Sequence, residues 1–174
     1  TDSNVSQIME KMDQDSEWAI AGPKVVDDKN DIQPSCRRFP KPWTFLLVRS
    51  VLSILPGADK ERIRYLMEDF DRNIAREVDW VSGGATLVKS SLLGKIGGMD
   101  ERYFLYMEDV DWCRTCWKAG CKVVYCPEST VIHAGQHQSI QGSILDRFLS
   151  KHVRLHLTSM LKYFIKCLFT AIKK

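Results

Sequence analysis

The chain has 174 residues, 44% hydrophobic and 27% charged, with a formal net charge of +3 at pH 7. That length can bury one sizeable core, the composition excludes a chain dominated by disorder, and so small a charge gives no ground for a nucleic-acid partner. Six cysteines without a secretory leader read as reduced thiols, which sets the expectation of a cytoplasmic location. The chain opens on Thr1 and reads as the interior of a longer polypeptide.

Val5, Ile8, Met9 and Met12 recur at helical spacing behind Ser3 or Asn4 as N-cap, which predicts a surface helix. Trp18 to Val26 predicts a strand broken at Gly22-Pro23 and bending into a polar turn over Asp27 to Asn30. Between Ile32 and Trp43, Pro40 and Pro42 forbid regular structure, and Arg37 and Arg38 offer two guanidinium forks. A solvated loop and a pair facing a phosphate-bearing donor both fit. Phe45 to Leu55 is mostly apolar but shorter than the roughly 20 residues a bilayer span needs. Asp59 to Glu77 mixes acids and bases and reads as a mobile insertion or exposed helix, with no chemistry assigned.

Val78 to Val88 reads as a strand interrupted by Gly83-Gly84, where glycine marks either a bulge or a close backbone approach to a ligand. Ser90 to Ile96 is a short predicted helix, capped by Ser90 or Ser91 and closed by Gly97. Tyr103 to Met107 then leads into Glu108-Asp109 at the start of a helix that runs to Ala119 and stops at Gly120. Carboxylates at a helix start can simply favour its dipole, or one can serve as a general base while the other grips a polar ligand. Consecutive helical residues do not share a face, so the two are expected to differ in role, with Asp111 a solvent or capping residue.

Cys121 to Tyr125 alternates as a strand, Pro127-Glu128 turn it, and Thr130 to His133 form a second short strand. His133 is a core or edge histidine or a metal ligand; the polar loop Ala134 to Ser139 beside it is of the kind that closes over a ligand. Cys113, Cys116, Cys121 and Cys126 lack the two separated pairs of a structural zinc site and read as buried thiols. From Arg147 on there are seven Lys or Arg and no Asp or Glu, and Phe148 to Ile172 form a basic amphipathic helix. Its apolar stripe suits either an anionic membrane interface or the part of the protein expected to precede Thr1.

The series Gly22-Pro23-Lys24, Ser35 to Pro40, Val78 to Ala85, Gly97 to Cys113, Ala119-Gly120 and Pro127 to His133 resembles the family 2 glycosyltransferases of the rhamnosyltransferase type. The resemblance covers about residues 5 to 140, and the order and spacing of its motifs are its specific part. It implies an α/β partial GT-A fold over residues 1–146, followed by an amphipathic tail over 147–174. It implies transfer with inversion from a nucleotide-diphospho-sugar, rhamnose being suggested by the family type alone, to a saccharide or lipid-linked acceptor in cell-surface polysaccharide synthesis. Asp109 would be the general base and Glu108 would orient the acceptor. His133 would complete a Mg or Mn site. Trp80, Gly83 and Gly84 would border the sugars, with Arg37 and Arg38 toward the donor. The family's nucleotide-binding half would precede Thr1, so this segment alone is expected to be inactive, with peripheral contact at the inner face of the cell membrane through the tail.

Two other classes fit the residues. A non-catalytic module could bind a saccharide or protein using Trp80, Tyr103 and Tyr106 as platforms, and a zinc-dependent structural domain would use the cysteines.

Overall fold

Trp18–Val26 (β1) and Lys122–Ile132 (β7) carry apolar side chains in near-continuous runs, the pattern of strands covered on both faces. They pair in parallel at the centre of a five-stranded sheet ordered β2 (Ile32–Gln33), β1, β7, β4 (Arg76–Glu77), with β6 (Leu87–Val88) also antiparallel to β1. A second, two-stranded sheet joins β3 (Cys36–Arg37) to β5 (Trp80–Val81). The computed structural model describes residues 2–49, 51–133 and 151–170.

Alternation on β7 divides the core. Val124 and Cys126 face α1 (Asp2–Gln14) with Ala21, Ile8 and Met12, while Val123 and Tyr125 face the larger cluster beneath α5 (Glu108–Lys118). The first helix is therefore not wholly a surface helix: Ile8 and Met12 are buried, whereas Val5 and Met9 on its other side are exposed. α6 (Lys151–Leu168) closes the far layer, with Ser159 and Tyr163 buried and Met160, Phe164 and Cys167 packed on the main cluster.

Several expectations need correction. Gly22-Pro23 does not break β1, because Gly22 passes directly beneath Val81 and a Cβ there would lie 2.7 Å from the Val81 side chain. Pro127-Glu128 is not a turn between two strands. The partner of β1 jumps from Cys126 to Thr130, so the proline sits in a bulge of one continuous strand, where a missing N–H costs no ladder bond. The segment from Ile32 to Trp43 contains β2 and β3, and it leads into α2 (Thr44–Arg49) and a 3-10 turn over Val51–Ile54.

Asp59 to Glu77 does contain a helix with an exposed face, but its other side is built into the fold. α3 (Ala58–Leu66) buries Tyr65 in the core, and Glu61 accepts from Arg64 at 2.6 Å and from the Thr44 hydroxyl. Over Ser90 to Ile96 a 3-10 turn (Ser90–Leu92) precedes α4 (Leu93–Ile96); no serine side chain caps either, and Gly97, with φ 70°, ends the helix. The turn Asp27 to Asn30 forms as expected, with the Lys29 and Asp31 amides donating to Asp27 Oδ1. The loop Ala134 to Ser139, and the tail boundary at residues 146 and 147, lie outside the described residues.

Candidate active site

The chain reaches α5 through Tyr106 and Met107, both left-handed with φ 67° and 70°. Non-glycine residues in that region each cost about 1–3 kcal/mol and persist where the surroundings hold them. The turn delivers Glu108 and Asp109 as the first two residues of a helix that no side chain caps. The Val110 amide donates to Asp109 Oδ1 at 2.8 Å, and across the chain the Gly83 amide donates to Asp109 Oδ2 at 3.0 Å.

The two consecutive glycines face different partners. A Cβ on Gly83 would lie 3.6 Å from Asp109 Cβ, and one on Gly84 would lie 3.7 Å from the His133 ring. The Gly83-Gly84 turn thus stands between Asp109 and His133, two residues brought together from opposite ends of α5 and β7. Its flanking bond, Ser82 amide to Ser35 carbonyl at 2.7 Å, ties it to the strand carrying Arg37. Beside it opens a cavity of about 490 Å³ whose lining includes Asp27, Arg37, Ser82, Gly84 and His133.

Both acids of the pair are half-buried, and the pKa of each is raised from its ordinary value. For Glu108 the cause is burial, opposed by its own backbone amide and reinforced by the charge of Asp109; its Oε2 is buried without a hydrogen-bond partner. For Asp109 burial again dominates, opposed by the Gly83 and Val110 amides and by Arg37. Asp109 adjoins that cavity through the Gly83-Gly84 turn rather than lining it, and its partial desolvation makes the carboxylate a stronger proton acceptor.

The two arginines separate. Arg37 lines the cavity with its guanidinium 5.0 Å from the Trp80 ring and 5.7 Å from Tyr65, while its Nε donates to the Pro34 carbonyl. Arg38 turns instead toward Asp79, at 3.5 Å, and its carbonyl accepts from Trp80 Nε1 at 2.9 Å. Trp80 is only 4% exposed and Tyr103 only 7%, so neither ring offers an open face, whereas Tyr106 is exposed. Trp80 supports Arg37 from beneath.

His133 follows the end of β7, its amide donating to the Val26 carbonyl at 2.8 Å, and its side chain is exposed. Among the described residues no three His, Cys, Asp or Glu side chains converge on a metal position. One imidazole does not make a Mg or Mn site, which draws on several oxygen donors, so these residues alone do not fit the cation. The cysteines are free thiols, five of them buried, and burial pushes the Cys116 thiol up to about 12.

Asp111 is not a solvent or capping residue. It is 1% exposed, and Lys166 from α6 donates to its Oδ2 at 2.6 Å. The same ammonium reaches Asp100 Oδ2 at 3.0 Å, and Arg102 and Lys166 together hold Asp100 well below the usual carboxylate range. Sequence reasoning missed this cluster because its partners lie 55 and 66 residues apart. The one available signal was a lysine on the tail helix in register with its buried face.

A model of the glycosyltransferase like family 2 matches residues 4–154, and the chain belongs to that family. Its mixed α/β architecture with a C-terminal helix is that of a GT-A-like domain. Over 135 residues it is 36% identical to the N-acetylglucosaminyl-diphospho-decaprenol L-rhamnosyltransferase of Mycobacterium tuberculosis, an alignment covering 74% of this chain and 42% of that protein. Over 129 residues it is 32% identical to Rhamnosyltransferase WbbL of Escherichia coli K12, covering 74% of this chain and 43% of that protein. The chain spans less than half the length of these curated relatives.

Proposed function

We propose that this chain is the acceptor-side part of an inverting glycosyltransferase that moves a sugar from a nucleotide-diphospho-sugar to a saccharide or lipid-linked saccharide in cell-surface polysaccharide synthesis. The relatives' names make rhamnose the first sugar to try. The observation that carries the reading is Asp109, held by the Gly83 amide beside a cavity that Arg37, Ser82, Gly84 and His133 help to line.

In this mechanism Asp109 removes the proton from the acceptor hydroxyl as its oxygen attacks the anomeric carbon. The bond from that carbon to the diphosphate breaks, and its electron pair leaves with the nucleoside diphosphate. Burial raises the basicity of Asp109, while the two amides fix its orientation and leave lone pairs free for the incoming hydroxyl. Glu108, with Oε2 unpartnered, orients the acceptor. Arg37, braced on Trp80, faces the donor's phosphates.

The family resemblance assigns a divalent cation to the reaction, with His133 as one ligand. The remaining ligands would come from outside the described residues, and no step above depends on them. The reading also assigns the chain to the cytoplasmic face of the cell membrane, with the exposed apolar stripe of α6 against lipid.

The test is transfer or hydrolysis of a panel of nucleotide-sugars, with Mg or Mn present, by the polypeptide carrying any sequence that naturally precedes Thr1. Turnover lost in folded Asp109→Asn and His133→Ala variants is the expected outcome. Saccharide binding without turnover on any donor would instead establish a binding module, a reading that the burial of Trp80 and Tyr103 already weakens.

A further inference from the structure

α6 and the residues just beyond it are fastened to the segment from Asp100 to Arg114 at four places. Ser159 Oγ donates to the Leu105 carbonyl at 2.8 Å and Lys162 Nζ to the Arg102 carbonyl at 2.7 Å. Lys166 then bridges Asp100 and Asp111, and beyond it the Thr170 carbonyl accepts from Arg114 of α5. These contacts fall on the loop before Glu108-Asp109 and on the helix after it.

Lys166 differs from the others because it joins the two sides. Asp100 opens the loop that ends in the two left-handed residues Tyr106 and Met107, and Asp111 stands on the first turn of α5. Asp111 Oδ1 is buried with no hydrogen-bond partner, so the Lys166 ammonium on Oδ2 carries the compensation for a carboxylate removed from water. A strained turn holds only while its neighbours over-determine it. Without the bridge, the first turn of α5 could unwind and relieve Tyr106 and Met107.

We propose that Lys166 is a positioning residue: from α6 it clamps Asp111 to Asp100 and thereby fixes the first turn of α5, on which Glu108 and Asp109 stand. This rests on the reading of Asp109 as the base. Lys166 touches neither member of the pair, so its effect passes through the helix. It should act on the chemical step and leave donor affinity alone.

The experiment compares Lys166→Met and Lys166→Arg in the natural polypeptide by steady-state kinetics and by amide hydrogen exchange. Lys166→Met is expected to lower kcat by about tenfold or more with donor KM within about twofold, the mark of an interaction expressed in the transition state. Lys166→Arg, which keeps charge and donors, should recover kcat to within about threefold. The amides of Val110 to Cys113 should exchange at least about tenfold faster in Lys166→Met while β1 and β7 keep their protection.

Unchanged kcat in Lys166→Met, or exchange that rises equally in β1 and β7, overturns the proposal. If the parent polypeptide transfers no sugar, the glycosyltransferase reading fails separately, and the exchange measurement still decides whether Lys166 fixes α5. Should Lys166→Met not fold, Asp111→Asn removes the same charge pair, and the same local exchange and kcat loss are required of it.

Discussion

The Gly83 amide and the Asp109 carboxylate meet at 3.0 Å across 26 residues of sequence, and that bond orients an acid which burial has made more basic. Asparagine can keep one of the two amide bonds through its single oxygen, sets its NH2 against the other amide, and cannot take a proton. Asp109→Asn is therefore expected to stay folded, with a loss of no more than about 1–3 kcal/mol for the unpaired amide, and to lose about 10²–10⁴ in kcat, the range a general base supplies. Thermal melting and steady-state kinetics on the same preparation check both halves. Full activity in the asparagine variant would remove Asp109 from the mechanism.

The raised pKa values of Glu108 and Asp109 carry a stability consequence whose sign is fixed. An acid whose folded pKa lies above its unfolded value binds its proton more tightly in the folded state. Its stabilising contribution is complete below the unfolded carboxylate range and is lost as pH rises through the folded value. At pH 7–8 both groups therefore work against folding. Glu108→Gln should raise the melting temperature there, by roughly 2–4 °C per kcal/mol relieved, with the gain shrinking as pH falls toward 4. A gain that grows on acidification would contradict the direction of the shift.

Asp109 shows how much of the site was legible. A glycine break, a short apolar run and two acids mark a helix start by local chemistry, whereas the partners of Gly83-Gly84 come only from the fold, where a Cβ on either would sit in ordinary contact with Asp109 or His133. Asp111 is the opposite case: on its own helix it resembles a solvated acid, and only the packing of α6 supplies Lys166. Pro127 resembles a turn residue in sequence because a bulge is defined by a partner strand more than a hundred residues upstream. Arg37 and Arg38 look equivalent in sequence, and it is the pairing of β3 with β5 that sends one to the cavity and the other to Asp79.

That separation can be measured. Arg37→Gln should raise donor KM about 10- to 100-fold, the worth of a hydrogen bond to a charged group, with a small loss of stability from its contact with Trp80. Arg38→Gln should leave KM within about twofold, costing at most about 1 kcal/mol of folding stability through Asp79. Equal effects on KM would mean that the donor reaches both.

Among the described glycines, Gly22 leaves the least room for a side chain. A methyl group there would meet Val81 Cβ and Cγ1 at 2.7 Å, closer than packed carbons tolerate, inside the central parallel pair. Gly22→Ala is expected to cost about 1–3 kcal/mol, read by denaturant unfolding. Adding Val81→Ala should recover part of that loss, because the two residues share one space and their effects cannot add. A strictly additive double variant would show that the strain is relieved elsewhere.

α6 has two apolar faces, of which the fold uses one. Leu157, Leu161, Ile165, Leu168 and Phe169 are exposed along the other, with Lys151, Arg154 and Lys162 on the same helix and no acid from Arg147 onward. No helix among the described residues is long and apolar enough to cross a membrane. An apolar stripe with basic neighbours matches an anionic lipid surface, where each lysine or arginine adds about 1 kcal/mol. The protein should therefore sediment with vesicles containing phosphatidylglycerol, fail to do so with phosphatidylcholine alone, and be released by raised salt. Leu161→Glu, at the middle of the stripe, should weaken that binding about tenfold or more. If vesicles are ignored while light scattering finds a dimer that Leu161→Glu dissociates, the stripe joins two copies of the chain, and the assignment to the membrane fails.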